Sequence, residues 1–136
     1  MVVTICRKAH FNAAHRLHNP NWSDEKNVAV FGKCNSPNYH GHNFDLEVRV
    51  RGKVDQQTGF VMDLADLGEM IKSEIEERFD HKNLNEDCEE FSNVMPSTEN
   101  FVKIIYDILK PKLANDHMLH ITLHETQKNA AEYGDW

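Results

Sequence analysis

Residues 39–53, YHGHNFDLEVRVRGK, decide the fold. Phe44, Leu46, Val48 and Val50 share one parity while Asp45, Glu47, Arg49 and Arg51 share the other, which is the alternation of a half-buried strand. Followed backwards, the apolar parity runs out at His42 and His40. Residues 1–16, MVVTICRKAHFNAAHR, repeat the pattern, with Val3, Ile5, Ala9, Phe11 and Ala13 in one row that only Arg7 breaks, and His15 is its next member. If the two strands pair antiparallel, the end of the first lies beside the start of the second, and the three imidazoles meet. Three neutral imidazoles with an open fourth position describe a catalytic zinc site rather than a closed structural one. Packing is the plainer use of two same-face histidines in a chain with 9, and the shared parity of all three is what favours a metal. His10 has the wrong parity and His18 belongs to the loop.

Working outward, about two dozen residues separate His15 from His40, a length typical of functional or disordered loops. Trp22, Phe31 and Cys34 within it favour an ordered functional loop. After a turn at VDQQTG, Asp63 and Asp66 can cap a helix whose Leu64, Leu67, Ile71, Ile75 and Phe79 recur at three- and four-residue spacing. Ser97 or Thr98 opens a second helix, striped by Phe101, Ile105, Ile108 and Leu109 and limited by Pro111. Leu119, Ile121 and Leu123 form a last long strand whose apolar parity ends at Glu125, before a short final strand. His120 and His124 fall on the other parity, as solvent or interface residues. The order is ββααββ, an α+β fold with an antiparallel sheet and two helices on one face. With no repeat, low-complexity segment or Gly/Ser linker, residues 1–136 read as one domain.

The bulk properties narrow the partners. The 136 residues carry 15 Lys plus Arg against 22 Asp plus Glu, a formal charge of −7, without a basic stripe, so nucleic acid is excluded as the main partner. An anionic small molecule is compatible, because local cations and a metal outweigh the global sign within a Debye length of about 10 Å. No stretch reaches membrane-spanning length and MVVTICRKAH lacks a signal-peptide pattern, so a cytoplasmic protein is expected. Cys6, Cys34 and Cys88 are odd in number without a CxxC, which argues for free thiols. The chain is short for an enzyme with an enclosed pocket, which favours a pocket shared between subunits.

Several further side chains invite chemistry. Cys34, in the polar GKCNSPN loop, suits acid–base or nucleophilic work, against the alternatives of an inert thiol or a fourth metal ligand. Asp80-His81, at the end of the first helix in RFDHKNLN, is by default a helix stop, yet an Asp beside a His also fixes a tautomer and tunes a base. Glu125 is a carboxylate at the end of an apolar row and needs donors, which an amino-heterocycle would supply. Glu99 by default serves its helix dipole.

Taken together, FNAAHRL, FGKCNSPNYHGHN, TGFVMDLADL, FDHKNLN, PSTEN and the closing HET resemble the 6-pyruvoyltetrahydropterin synthase family, which includes the 6-carboxytetrahydropterin synthases of the queuosine pathway. The resemblance spans nearly the whole chain. It implies a tunnelling fold (T-fold) whose barrel is completed by oligomerisation, a homohexamer of two stacked trimers, and active sites at subunit interfaces. It also implies Zn2+ on His15, His40 and His42, with Cys34 as the catalytic thiol. Asp80 and His81 would reach that thiol from a neighbouring subunit, and Glu125, with Thr98 and Glu99, would hold the pterin. The implied reaction is a zinc-dependent carbon–oxygen lyase step on 7,8-dihydroneopterin triphosphate with loss of triphosphate. The long loop and the six-residue step from Cys34 to His40 favour the pyruvoyl product of tetrahydrobiopterin biosynthesis. The 6-carboxy product with acetaldehyde is the alternative, and a pterin-binding module with structural zinc is the non-enzyme one. Tyr39, where the family often has Gly, departs from the pattern beside the metal. Arg16, Lys33 and Lys82 are the cations to test against the triphosphate.

Overall fold

The computed structural model describes all residues, 1–136. Its frame is a five-stranded sheet in the order β3-β1-β2-β4-β5. Strands β1 (Val2–His15) and β2 (His40–Lys53) pair antiparallel along their whole length, from Val2 opposite Lys53 to His15 opposite His40. Strand β4 (Met118–His124) continues the antiparallel sheet beside β2, and β5 (Ala130–Gly134) closes that edge. On the other edge, the two-residue strand β3 (Lys82–Asn83) runs parallel to β1 opposite Ala13 and Ala14. Neither β3 nor the short helix α3 (Leu84–Asp87) after it stands out in the sequence, because two to four residues carry no readable period.

The expected long loop also holds a helix, α1 (Asp24–Phe31), capped by Ser23, whose hydroxyl accepts from the Lys26 N–H at 3.2 Å. Only Asn27 of α1 is buried, while Val28 and Val30 are exposed, so no apolar stripe announced the helix. The reading of this segment as ordered stands: Trp22 and Phe31 stack with centroids 5.7 Å apart.

Residues 64–79 form one helical run, α2, made of Leu64–Ile71, a π turn over Lys72–Glu76, and Glu77–Phe79. Asp63 caps it by accepting from the Ala65 N–H at 2.8 Å. Leu67, Ile71, Ile75 and Phe79 are spaced by four, and in a pure α-helix each such step drifts by about 40° around the axis. The wider π turn cancels part of that drift and keeps all four buried. Leu64 does not join them; it is exposed in the first turn, ahead of the sheet's edge. Helix α4 (Thr98–Leu109) starts from Ser97, whose hydroxyl accepts from the Asn100 N–H, and buries Phe101, Val102, Ile105 and Leu109, leaving Ile108 half-buried.

Both helices cover the apolar parity of the sheet, where Phe11, Phe44, Leu46, Val48, Val50, Leu119, Ile121 and Leu123 are buried. Arg7, the break in the first row, stays exposed with its guanidinium against α2, where a Cβ on Gly68 would stand 2.8 Å from the guanidinium carbon. Five phenylalanines, Phe11, Phe44, Phe79, Phe91 and Phe101, touch in edge and stacked pairs at centroid distances of 5.0–6.4 Å. This aromatic block ends under the histidine ends of β1 and β2. No helix is long and apolar enough to cross a membrane.

Candidate metal centre

The antiparallel register delivers the three histidines as the alternation predicts. Ring centroids of His15, His40 and His42 lie 4.6–5.1 Å apart, and one nitrogen from each falls within 4.8 Å of the others. Phe44 forms the floor, with its centroid 5.8 Å from that of His42 and 6.5 Å from that of His15. Burial against this floor is the main cause that lowers the pKa of all three imidazoles, with mutual repulsion adding to it. All three are thereby held neutral near pH 7, the form that binds a metal.

The tautomer of His15 follows from its partner. Its Nδ1 sits 2.7 Å from the Pro96 carbonyl oxygen, which can only accept, so the proton is on Nδ1 and the Nε2 lone pair faces its neighbours. That Nε2, the Nε2 of His42 and the Nδ1 of His40 are all buried without a hydrogen-bond partner. Buried orphan nitrogens are costly, and three rings that carry them and bring one nitrogen each within 4.8 Å fit a cation with an affinity for imidazole. The donor set therefore suits a divalent metal such as zinc. Neither the Cys34 thiol nor the Glu125 carboxylate belongs to that mutually close set.

A cleft of about 410 Å³ opens beside the triad, lined by His15, Cys34, Thr98, Glu99, Glu125 and Lys128 among others. Glu125 stands just past the end of β4, its carboxylate oxygens 3.9 Å from His15 Nε2 and 3.8 Å from His42 Nε2. The Thr98 hydroxyl donates to its Oε2 at 2.5 Å, which fixes the carboxylate with Oε1 beside His42. Cys34 is half-buried there, while Cys88 is buried in the core with its thiol pushed up to about 11, chiefly by that burial, and is inert. Two groups of the site escaped the sequence reading. The Pro96 carbonyl was hidden because any backbone can accept, and Lys128 because it sits in the turn between β4 and β5.

Asp80 and His81 are elsewhere. They follow α2, and they flank β1 on the side away from β2. Asp80 Oδ1 accepts from the Asn12 N–H at 3.0 Å, and the His81 N–H donates to the Asn12 carbonyl at 2.7 Å. The Asn12 donor is the main cause that holds the Asp80 carboxyl below its ordinary pKa. His81 takes a left-handed backbone, φ 60°, and its ring, 3.0 Å from Asp80 Oδ1, is 76% exposed. It lines a second cavity of about 550 Å³ with Lys82, Asn43, Asp87 and His42 of the triad, and that cavity shares no lining residue with the Cys34 cleft. Of the cations expected to meet a triphosphate, Arg16 is engaged by the Asn35 carbonyl at 2.9 Å, Lys33 is exposed, and Lys82 faces the His81 cavity.

The model of the family described as 6-pyruvoyl tetrahydropterin synthase matches residues 4–135. A protein of Drosophila melanogaster named 6-pyruvoyl tetrahydrobiopterin synthase is 43% identical over 133 residues, 97% of this chain and 79% of that one. One of the same name from Poecilia reticulata is 46% identical over 129 residues, 95% of this chain and 88% of its own. The solved structure of the Caenorhabditis elegans 6-pyruvoyl tetrahydropterin synthase superposes with a TM-score of 0.92 at 38% identity, covering 100% of this chain and 97% of that one.

Proposed function

The chain belongs to the 6-pyruvoyl tetrahydropterin synthase family, and on that premise we propose that it converts 7,8-dihydroneopterin triphosphate into 6-pyruvoyltetrahydropterin with release of triphosphate, at a zinc centre on His15, His40 and His42. The observation that carries this reading is the convergence of three buried, unpartnered imidazole nitrogens beside a cleft that also holds Cys34 and Glu125. Zinc bound there would polarise the oxygens of the substrate side chain and so acidify the carbons bearing them.

The chain's own groups supply the rest. Glu125, locked by Thr98, accepts the ring N–H groups of the pterin, since its two oxygens match adjacent donors and Oε2 keeps a lone pair after accepting from Thr98. Glu99 lines the same wall and helps hold the ring. Cys34 stands at the metal side of the cleft and moves protons on the side chain, and no covalent adduct is required. The exposed His81 opens to a cavity that lacks Cys34, which suits a second copy of the chain bringing its Cys34 to this pair. A homohexamer of two trimers with active sites between subunits supplies that arrangement. Three unpaired thiols fit a reducing, cytoplasmic setting.

The test is incubation of the zinc-loaded protein with 7,8-dihydroneopterin triphosphate, followed by triphosphate assay and mass analysis of the pterin. Release of triphosphate with a pyruvoyl side chain is expected. A carboxylate product with acetaldehyde would move the chain to the carboxy-forming branch, and tight pterin binding without release would make it a binding module.

A further inference from the structure

The two ligand-bearing strands are paired up to His15 opposite His40, the last rung of the ladder and the place where a ladder frays. Beyond that rung the backbone of Arg16 meets a side chain in place of a strand. The Arg16 N–H donates to Asn85 Oδ1 at 2.8 Å, and Asn85 Nδ2 donates to the Arg16 carbonyl at 2.9 Å, so the carboxamide supplies both halves of one further rung. The loop with Cys34 hangs on the same exit. Arg16 Nε donates to the Asn35 carbonyl at 2.9 Å, Asn35 Nδ2 to the Leu17 carbonyl at 2.8 Å, and the Leu17 N–H to the Cys34 carbonyl at 2.9 Å.

The other strand is gripped one residue along. Tyr39, directly before His40, sits at φ 66°, a left-handed backbone that a bulky side chain adopts only where its surroundings hold it. Its hydroxyl donates to the Glu86 carboxylate. Asn85 and Glu86 are consecutive on α3, whose first turn is capped by Asn83 at 3.0 and 3.2 Å and whose Leu84 is buried in the core. An anchored turn therefore bridges the exits of both ligand strands.

We propose that Asn85 and Glu86 form a buckle across β1 and β2, and that Asn85 is a positioning residue for the metal triad and for Cys34. The proposal rests on the reading of the triad as a zinc site. Neither residue needs to touch metal or substrate; Asn85 acts through the backbone next to His15, and Glu86 through the residue before His40. Because the same segment begins at Asp80 and His81, the buckle also sets the separation between the two cavities.

The test uses the full chain in a Cys6→Ser background, with Asn85→Ala, Asn85→Asp and Tyr39→Phe, and with Tyr106→Phe at the far end of the sheet as control. Three readouts are taken: the zinc dissociation constant by competition with a chromophoric chelator, the alkylation rate of Cys34 without metal, and the thermal midpoint of the metal-free protein. Asn85→Ala is expected to weaken zinc binding by about tenfold or more, the range for groups that orient a metal ligand, and to change the alkylation rate of Cys34. Asn85→Asp, which keeps the acceptor and loses the donor, should lie between it and the parent, and Tyr39→Phe should weaken zinc by about threefold. Tyr106→Phe should lower the midpoint and leave zinc affinity alone. Zinc affinity of folded Asn85→Ala within twofold of the parent overturns the proposal, and Asn85→Asp decides by the same criterion if the alanine variant does not fold. A parent protein that binds no zinc sinks the metal reading itself, a separate result.

Discussion

The His15–His40–His42 triad and the Asp80–His81 pair stand on the two flanks of β1 and are built in opposite ways. In the triad His15 is buried and His40 and His42 are half-buried over Phe44, the Pro96 carbonyl holds the His15 ring from behind, and one nitrogen of each ring lies within 4.8 Å of the others. The pair is more open, tied to β1 through the backbone of Asn12, and its exposed imidazole lines a cavity with His42 but without Cys34. Two long strands in register gather three imidazoles within one chain. Asp80 and His81 stay open because they sit in the turn between α2 and the two-residue strand β3. The difference accords with the proposal of a site shared between two copies of the chain.

The most forceful way to break this comparison is to disable each half separately. Cys34→Ala and His81→Ala should each cut turnover by about 10²–10⁴-fold while zinc stoichiometry by metal analysis stays unchanged. Co-refolding the two inactive variants should then restore measurable triphosphate release, because hybrid interfaces pair an intact cleft with an intact His81. No recovery in hybrids of native oligomeric size would return both halves to one chain. Next in size, His42→Ala should weaken zinc by about 100-fold or more in chelator competition, whereas His81→Ala should leave zinc affinity within twofold. Equal losses would erase the distinction between the flanks.

Thr98→Ala sharpens the cleft side. Losing a hydrogen bond to a carboxylate costs about 1.5–3 kcal/mol where the group is buried, and Glu125 is partly open, so a rise in KM of about tenfold with a smaller change in kcat is expected.

The smallest effect is the pH dependence of the metal-free protein, and it too separates the flanks. The triad's folded pKa values lie below 6.5, chiefly through burial, so below pH 6.5 the unfolded chain binds more protons than the native one and stability falls. The folded pKa of Asp80 lies below 3.8, chiefly through the Asn12 N–H, so its contribution is present above 3.8 and is lost as pH falls through the lowered value. Thermal midpoints across this range should show two acid losses. His42→Ala should reduce the upper one and Asp80→Asn the lower.

The strands and the triad were legible because period two survives in sequence: one buried face writes itself as alternate apolar residues, and the histidines continue that row. Glu125 was legible for the same reason. Helix α2 was legible by its stripe, with Leu64 read onto a face that ends before it and the π turn unmarked. Helix α1, strand β3 and the buckle at Asn85 and Glu86 were not, because none has an apolar face longer than a turn. Their residues are polar side chains that meet backbone groups tens of positions away, as Asn85 meets Arg16.

By itself, then, the sequence determined which side chains share a face, that three histidines end two such faces, and, by resemblance, the family and its chemistry. Only the tertiary structure decided that one nitrogen of each imidazole falls within 4.8 Å of the others, that Thr98 locks Glu125, and that Asp80 and His81 line a different cavity from Cys34. The physical reason is range. Alternation is a local property of a pleated backbone, whereas desolvation, an acceptor such as the Pro96 carbonyl behind a ring, and the flank of a strand on which a loop returns depend on contacts between residues far apart in the chain.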